Sequence, residues 1–239
     1  MPNSFRRPVF AGTTLLVPAL LLCLFTLPAS QAFGQDTAPP TALQKQLAKF
    51  DLGLVAAGEL GTSVSGIEQR DANTTHTLLT IKPSSTVGEL GTLRYTVKPW
   101  VGFEFNFGNL RYTQDYTFVP PPEQTILTGG VQSGVRELTL GYVAHLKYHP
   151  LGITPYLGVG GGTVKFTPTP GGGQHLPFQY RAAYYYQLGV EDNFPNSPFG
   201  MRLGFRQLIY LAPDFLQNYL TITRRTRTSE PTIGFFVRF

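Results

Sequence analysis

The chain has 239 residues, a formal charge of +5 and only 14% charged residues, against 13% aromatic. A charge that mild argues against a nucleic-acid partner, and soluble domains usually carry about 25% charged residues. Many glycines and aromatics, few ions, and no helix-length apolar run beyond the N-terminal region point to a membrane β-barrel, not to a soluble fold or a helical membrane protein.

Arg6 and Arg7 precede an apolar run from about Leu15 to Leu27, and Ala29-Ser-Gln-Ala-Phe-Gly-Gln35 follows it. Basic, then apolar, then small is the order of a secretory signal peptide. A spanning helix needs about 20 apolar residues, and Pro18 and Pro28 interrupt this run. Residues 1–34 are therefore expected to be a cleavable signal, with the cut after Gly34 preferred to one after Ala32. Leu22 precedes Cys23 and the apolar run continues past it, which argues against lipidation. A mature chain starting beyond it has no cysteine, hence no disulfide and no thiolate metal site. Losing Arg6 and Arg7 lowers the formal charge from +5 to +3, because residues 1–34 hold no acid. Residues 35–48 read as a periplasmic N-terminal linker with one helical turn near Leu43 to Leu47, and residues 49–239 as an outer-membrane β-barrel domain.

From Phe50 a period-two pattern begins and recurs. It sets Phe50, Leu52, Leu54 and Ala56 against Asp51, Gly53, Val55 and Ala57, then Leu93, Tyr95 and Val97 against Arg94, Thr96 and Lys98. Val101, Phe103, Phe105 and Phe107 alternate with Gly102, Glu104, Asn106 and Gly108. A fourth strand runs over Leu138 to Tyr148 and a fifth over Ile153 to Phe166. Tyr184 to Val190 and Phe199 to Phe205 make the sixth and seventh. The eighth, Thr232 to Phe239, places Ile233, Phe235, Val237 and Phe239 on one face and ends the sequence on an aromatic residue.

Connectors alternate in length. Lys98-Pro99, His149 to Thr154 and Pro195 to Pro198 are short, whereas Thr62–Thr86, Thr117–Ser133, Thr167–Pro177 and Pro213–Ser229 are long and polar. Short periplasmic turns and long extracellular loops are the habit of outer-membrane barrels. The expected fold is all-β, an eight-stranded antiparallel up-and-down transmembrane β-barrel, in which the eighth strand pairs with the first and sets Phe239 near Phe50.

The face that carries large apolar residues has almost no charge. A Lys or Arg on the lipid face at mid-membrane costs about 2–4 kcal/mol, so that face is expected to meet lipid, with Glu89 at the extracellular rim. Trp100, Tyr148 and Tyr112 fall near strand ends, where interfacial aromatics belong. The glycine-rich opposite face suits a narrow lumen better than a solvated exterior.

With these residues in view, residues 50–239 resemble the small eight-stranded outer-membrane barrels, the group typified by the OmpA transmembrane domain and OmpX. The resemblance rests on Pro155-Tyr-Leu-Gly-Val-Gly-Gly-Gly162 and on Phe235-Phe-Val-Arg-Phe239, together with strand count and loop alternation. It implies that Phe235, Val237 and Phe239 carry a C-terminal signal read by the barrel-assembly machinery. No residues follow Phe239 here, so the peptidoglycan-binding domain of some relatives is not expected.

The lumen is expected to hold an ion network of Glu59, Arg94, Glu104, Lys147, Glu191, Arg202 and Arg206, with Asp51, Lys98, Arg181 and Arg238 nearby. An eight-stranded barrel is just wide enough for side chains, and buried charges need partners, so a plug is favoured over a selective pore. A lipid-modifying enzyme would need His and Ser together. His145 is followed by Leu146 and Lys147, and His76, His149 and His175 lie in connectors. No catalytic residue, cofactor or metal is therefore assigned, and a small channel or a lipid-modifying enzyme are the alternatives. Glycines 158, 160, 161 and 162 lack the strand-turn-helix context of a nucleotide loop. Arg224, Arg225 and Arg227 are expected to contact lipopolysaccharide phosphates from the last long loop. A monomer in the bacterial outer membrane is expected, in which Phe105→Lys impairs insertion far more than Asn106→Lys.

Overall fold

The structure is a computed structural model, and it describes residues 41–68, 77–120, 126–147, 149, 152–217 and 219–239. The expected signal peptide, residues 35–40 of the linker, His76 and Tyr148 lie outside the described residues. Helix α1 (Ala42–Leu47) occupies the expected turn and is started by a reciprocal cap. Gln44 N donates to Thr41 Oγ1 at 3.3 Å, and Thr41 N donates to Gln44 Oε1 at 2.8 Å, which satisfies two otherwise orphaned amides.

Ten strand segments follow: β1 (Phe50–Gly61), β2 (Val64–Ile67), β3 (Leu78–Pro83), β4 (Thr86–Lys98), β5 (Val101–Val119), β6 (Leu127–His145), β7 (Thr154–Pro168), β8 (Gln179–Asn193), β9 (Phe199–Leu211) and β10 (Arg225–Arg238). Strands β1 and β4 to β10 pair antiparallel with their neighbours around a closed ring of eight. β10 closes on β1 with Leu54 opposite Phe235 and Asp51 opposite Arg238, and Phe239 N donates to Phe50 O at 3.3 Å. Closure leaves none of these eight strands as a sheet edge.

β2 and β3 form a hairpin that carries the wall onward beyond β1 and β4, with β3 pairing the far half of β5. Thr62 N donates to Arg227 O, and Ser84 N donates to Thr113 O, both at 2.8 Å, so the two breaks are stitched to the neighbouring strands. The stretch expected as a loop over 62–86 therefore contains two strands. The 117–133 loop contracts to residues 120–126, and β10 begins at Arg225, inside the expected 213–229 loop.

The strands keep one phase but exchange polarity partway along. On the half of β5 nearest Val101, Phe103, Phe105 and Phe107 face outward while Glu104 and Asn106 are buried. Beyond Gly108 the inward residues become Tyr112 and Tyr116, and the outward ones Asn109, Arg111 and Asp115. β6 does the same, with Leu138, Leu140 and Tyr142 outward on one half, and Val131 and Val135 inward on the other. In the far half Leu79, Ile81, Tyr116, Val131, Phe166 and Phe215 join one apolar core inside the barrel. Tyr112 belongs to that core. It is not an interfacial aromatic, because its parity points it into the lumen. Trp100 is exposed beside the β4–β5 turn, with Lys98 Nζ 5.7 Å from its ring. An outward apolar belt of this extent is far larger than a water-facing surface tolerates.

Candidate functional site: the charged lumen

Two ion networks fill the near half of the lumen. In the first, nearer the end that carries Phe50 and Phe239, Arg94 of β4 stands opposite Glu104 of β5 on the same rung. Their side chains meet at 2.5 Å, and Arg94 also reaches Glu191 of β8 at 2.8 Å. Arg202 of β9 bonds Glu191 at 3.2 Å and Asp51 of β1 at 3.3 Å. Gln187 donates to the second Glu104 oxygen at 2.7 Å. Glu104 and Glu191 are thus shared between donors and Asp51 is paired with Arg202, as charges with almost no access to water require.

Aromatic rings support the guanidinium groups. Tyr156 of β7 lies 5.0 Å from the Arg94 Cζ and 5.8 Å from that of Arg202, and Phe236 lies 4.8 Å below Arg202. These contacts put cations over ring faces in a desolvated site. The glycines make the room: a Cβ at Gly189 or Gly204 would stand 2.6 or 2.7 Å from the Tyr156 hydroxyl.

The second network lies deeper. Arg206 forks onto Glu137 of β6 and reaches Glu230 of β10 at 2.7 Å. Thr139 donates to Glu137 at 2.8 Å. Tyr185 is stacked 4.3 Å from Arg206 and accepts from Asn106 Nδ2 at 3.1 Å. Glu59 lines a cavity of about 20 Å³ with Glu137, Tyr112 and Tyr210, room for about one water. Beyond it comes the apolar core.

The segment 212–217 folds over that core. Phe215 is fully buried, with φ of 48°, and Leu216 follows at 62°, a left-handed pair that only strong local bonding holds in non-glycine residues. Gln179 supplies it, accepting from Asp214 N at 3.0 Å and Phe215 N at 3.1 Å, while its amide donates to Asp214 at 2.7 Å. Arg181 pairs with Asp214 at 2.9 Å, so it serves this latch and stands outside both networks.

Six of the seven lumen residues expected from sequence, Glu59, Arg94, Glu104, Glu191, Arg202 and Arg206, lie on inward parities, and five of them bond within the networks. Lys147 does not: β6 ends at His145, and Lys147 is exposed in the connection that follows. Lys98 is exposed as well, and Arg238 stands at the mouth, 3.8 Å from Glu191. Glu89 is exposed and accepts from Asn109 at 3.3 Å. Arg224 precedes β10, whereas Arg225 and Arg227 lie in it and point outward, so the basic cluster is mostly strand and not loop. Phe235 and Phe239 are exposed on the outer face. The sequence pattern alone does not single out Glu137, Glu230, Tyr156, Tyr185 or Phe236 as lumen residues. For Glu137 the signal is present, one residue before the outward Leu138 and two before Thr139, whose inward parity it shares.

Near the Phe50 end, a hollow of about 300 Å³ is lined by Lys49, Thr96, His145, His149, Glu191 and Arg238, among others. His145 Nε2 stands 3.1 Å from Glu191 and 3.2 Å from Arg94, and His149 Nδ1 is 3.2 Å from Thr154. Neither set pairs a histidine with a serine. Among the described residues no group of three His, Cys, Asp or Glu side chains is placed to hold a metal ion.

No protein-family model matches the sequence, and no curated protein matches it either. Among solved structures the chain is similar to Neisserial surface protein A (NspA), with a TM-score of 0.52 at 12% identity over 80% of this chain and 97% of that one. It also aligns with the outer membrane protein OprG from Pseudomonas aeruginosa, at a TM-score of 0.46 and 17% identity over 80% of this chain and 95% of that one. Closed on itself through eight antiparallel strands and superimposable on nearly the whole of NspA, the chain has the fold of the small eight-stranded outer-membrane β-barrels.

Proposed function

We propose that this protein is a monomeric barrel of the bacterial outer membrane that acts as a structural and surface-interaction element, with its lumen closed to ions. The observation that carries the reading is the pairing of Arg94, Arg202 and Arg206 with Asp51, Glu104, Glu137, Glu191 and Glu230 across the width of the barrel. A conducting pore presents its charges to water, whereas these are sequestered from it. The apolar core and Phe215 add a second obstruction. The signal-like N-terminus supports export, and the lipid-suited belt supports residence in a bilayer. Phe235 and Val237 on the closing strand, with Phe239 just after it, would be read by the assembly machinery, and Arg224, Arg225 and Arg227 would meet lipopolysaccharide phosphates beyond the hydrocarbon.

Planar-bilayer recording on the refolded protein tests closure. The expected result is a silent membrane; reproducible, ion-selective steps would sink the reading. Lipid-A mass spectrometry with and without the protein should show the same species, and a new species would establish an enzyme instead.

A further inference from the structure

A third group of cations lies on the outer wall, where the polarity of the strands changes over. Arg111 of β5 and Arg136 of β6 are exposed, each between inward-facing neighbours, and Lys165 of β7 shares their outward parity. The register brings them together. Arg136 is directly opposite Lys165 on one side and Asn109 on the other. Arg111 is opposite Gly134, and so sits diagonal to Arg136. Like charges directly opposite on one face of a sheet repel. Among the described residues none of the three forms an ion pair with a carboxylate. The neighbouring outward acids are engaged or distant: Glu89 accepts from Asn109 at 3.3 Å, and Asp115 is four residues, or about 13 Å of strand, beyond Arg111.

Their height on the wall says what could relieve the repulsion. Arg136 is two residues beyond Leu138, the last outward apolar residue of β6, and Arg111 is four beyond Phe107 on β5. Lys165 Nζ lies 4.7 Å from the Phe178 ring and 5.4 Å from that of Tyr180, aromatics suited to the boundary between hydrocarbon and headgroups. Three cations are therefore held at the upper border of the apolar belt, spread over three strands and about 10 Å. Guanidinium groups bind phosphate with two parallel hydrogen bonds.

We propose that Arg111, Arg136 and Lys165 form a binding site on the outer wall for the phosphorylated headgroup of an outer-leaflet glycolipid, whose acyl chains lie along Phe107, Leu138 and Leu140. The site rests on the reading of this barrel as an outer-membrane protein, but it is separate from Arg224, Arg225 and Arg227, which belong to the other side of β1 and β4.

The test is calorimetric titration of the full barrel in micelles with purified diphosphoryl lipid A, with the same lipid after removal of its phosphates as the second ligand. Arg111→Gln, Arg136→Gln and Lys165→Gln are combined in one variant, and Arg224→Gln, Arg225→Gln and Arg227→Gln in another. Folding is read from the heat-dependent shift on gels. Loss of the wall cations is expected to weaken binding on the order of 100-fold, dephosphorylation is expected to do the same to the wild type, and the second variant, which loses only its own separate contact, is expected to keep the phosphate-dependent binding that the wall cations supply. A folded wall variant with wild-type affinity overturns the proposal, as does a wild type indifferent to phosphate. Loss of binding only in the Arg224 set also overturns it, while sustaining the contact proposed there. Arg136→Gln alone carries the test if the triple variant does not fold, with about fivefold weakening expected. A conducting barrel that nevertheless binds phosphorylated lipid through this triad would refute the closed lumen and leave the site standing.

Discussion

Arg94 and Glu104 are partners twice, once as opposite residues of the β4–β5 ladder and once as an ion pair at 2.5 Å, with neither side chain appreciably open to water. The backbone register alone therefore delivers the pair to its bonding distance, and the rest of the near network is built around it.

Removing one partner strands the other. Arg94→Met leaves Glu104 and part of Glu191 uncompensated and is expected to cost about 3–5 kcal/mol, measured by urea unfolding in lipid vesicles. Adding Glu104→Leu in the same chain should recover part of that loss, because two apolar groups can replace a buried pair more cheaply than one charge can be left alone. A double variant less stable than Arg94→Met would show that Glu104 has a structural role apart from the pair.

The lipid belt predicts a depth-dependent penalty. Phe105→Lys is expected to lose about 2–4 kcal/mol and to lower the yield of heat-shifted, folded barrel, whereas Phe105→Leu should fold near normally. Asn106→Lys is not the mild comparison that alternation alone suggests. Asn106 is fully buried and bonded to Tyr185, so a lysine there would be forced against the Arg206 network.

The space beneath Tyr156 is set by glycine. Gly204→Ala would bring a methyl group within 2.7 Å of the Tyr156 hydroxyl and is expected to cost about 1–3 kcal/mol through overpacking. Tyr156→Phe in the same chain should return part of that stability on the same unfolding curve. Full additivity of the two losses would argue that the ring is not the obstacle.

The Gln179 amide is a central tie of the segment over the far end, beside the Arg181–Asp214 pair. Gln179→Ala removes the acceptor of two backbone N–H groups, an expected local loss of about 1–3 kcal/mol. Hydrogen exchange at Asp214 and Phe215 should accelerate while the amides of β5 and β6 keep their protection. Unchanged exchange there would assign the latch to Arg181 and Asp214 alone.

Strands were easy to see in the sequence where the two parities differ in kind. Phe103, Phe105 and Phe107 against Glu104 and Asn106 can be read without any structure, and the inward Arg94, Glu104, Glu191, Arg202 and Arg206 follow from it. The pattern fades where both parities are polar. Over Arg225 to Glu230 the outward Arg225, Arg227 and Ser229 alternate with the inward Thr226, Thr228 and Glu230, so period two persists without contrast and the stretch looks like a loop. Glu230 was lost for that reason. Tyr112 was misplaced for the opposite one: the rule of apolar outside holds only while the outside is lipid, and β5 continues beyond it. The Gln179 latch joins residues 35 apart in sequence and has no local signature.

The exchange of polarity along each strand acts as a depth gauge. If the barrel sank by a few residues, Arg111 and Arg136 would enter hydrocarbon, where a central charge costs about 2–4 kcal/mol. If it rose, Phe107, Leu138 and their neighbours would meet water at about 25 cal/mol per Å² of apolar surface. In a bilayer both displacements would be opposed at once around the wall, and the far core and the Phe215 segment would be held at a set height above it, like a buoy on a short mooring.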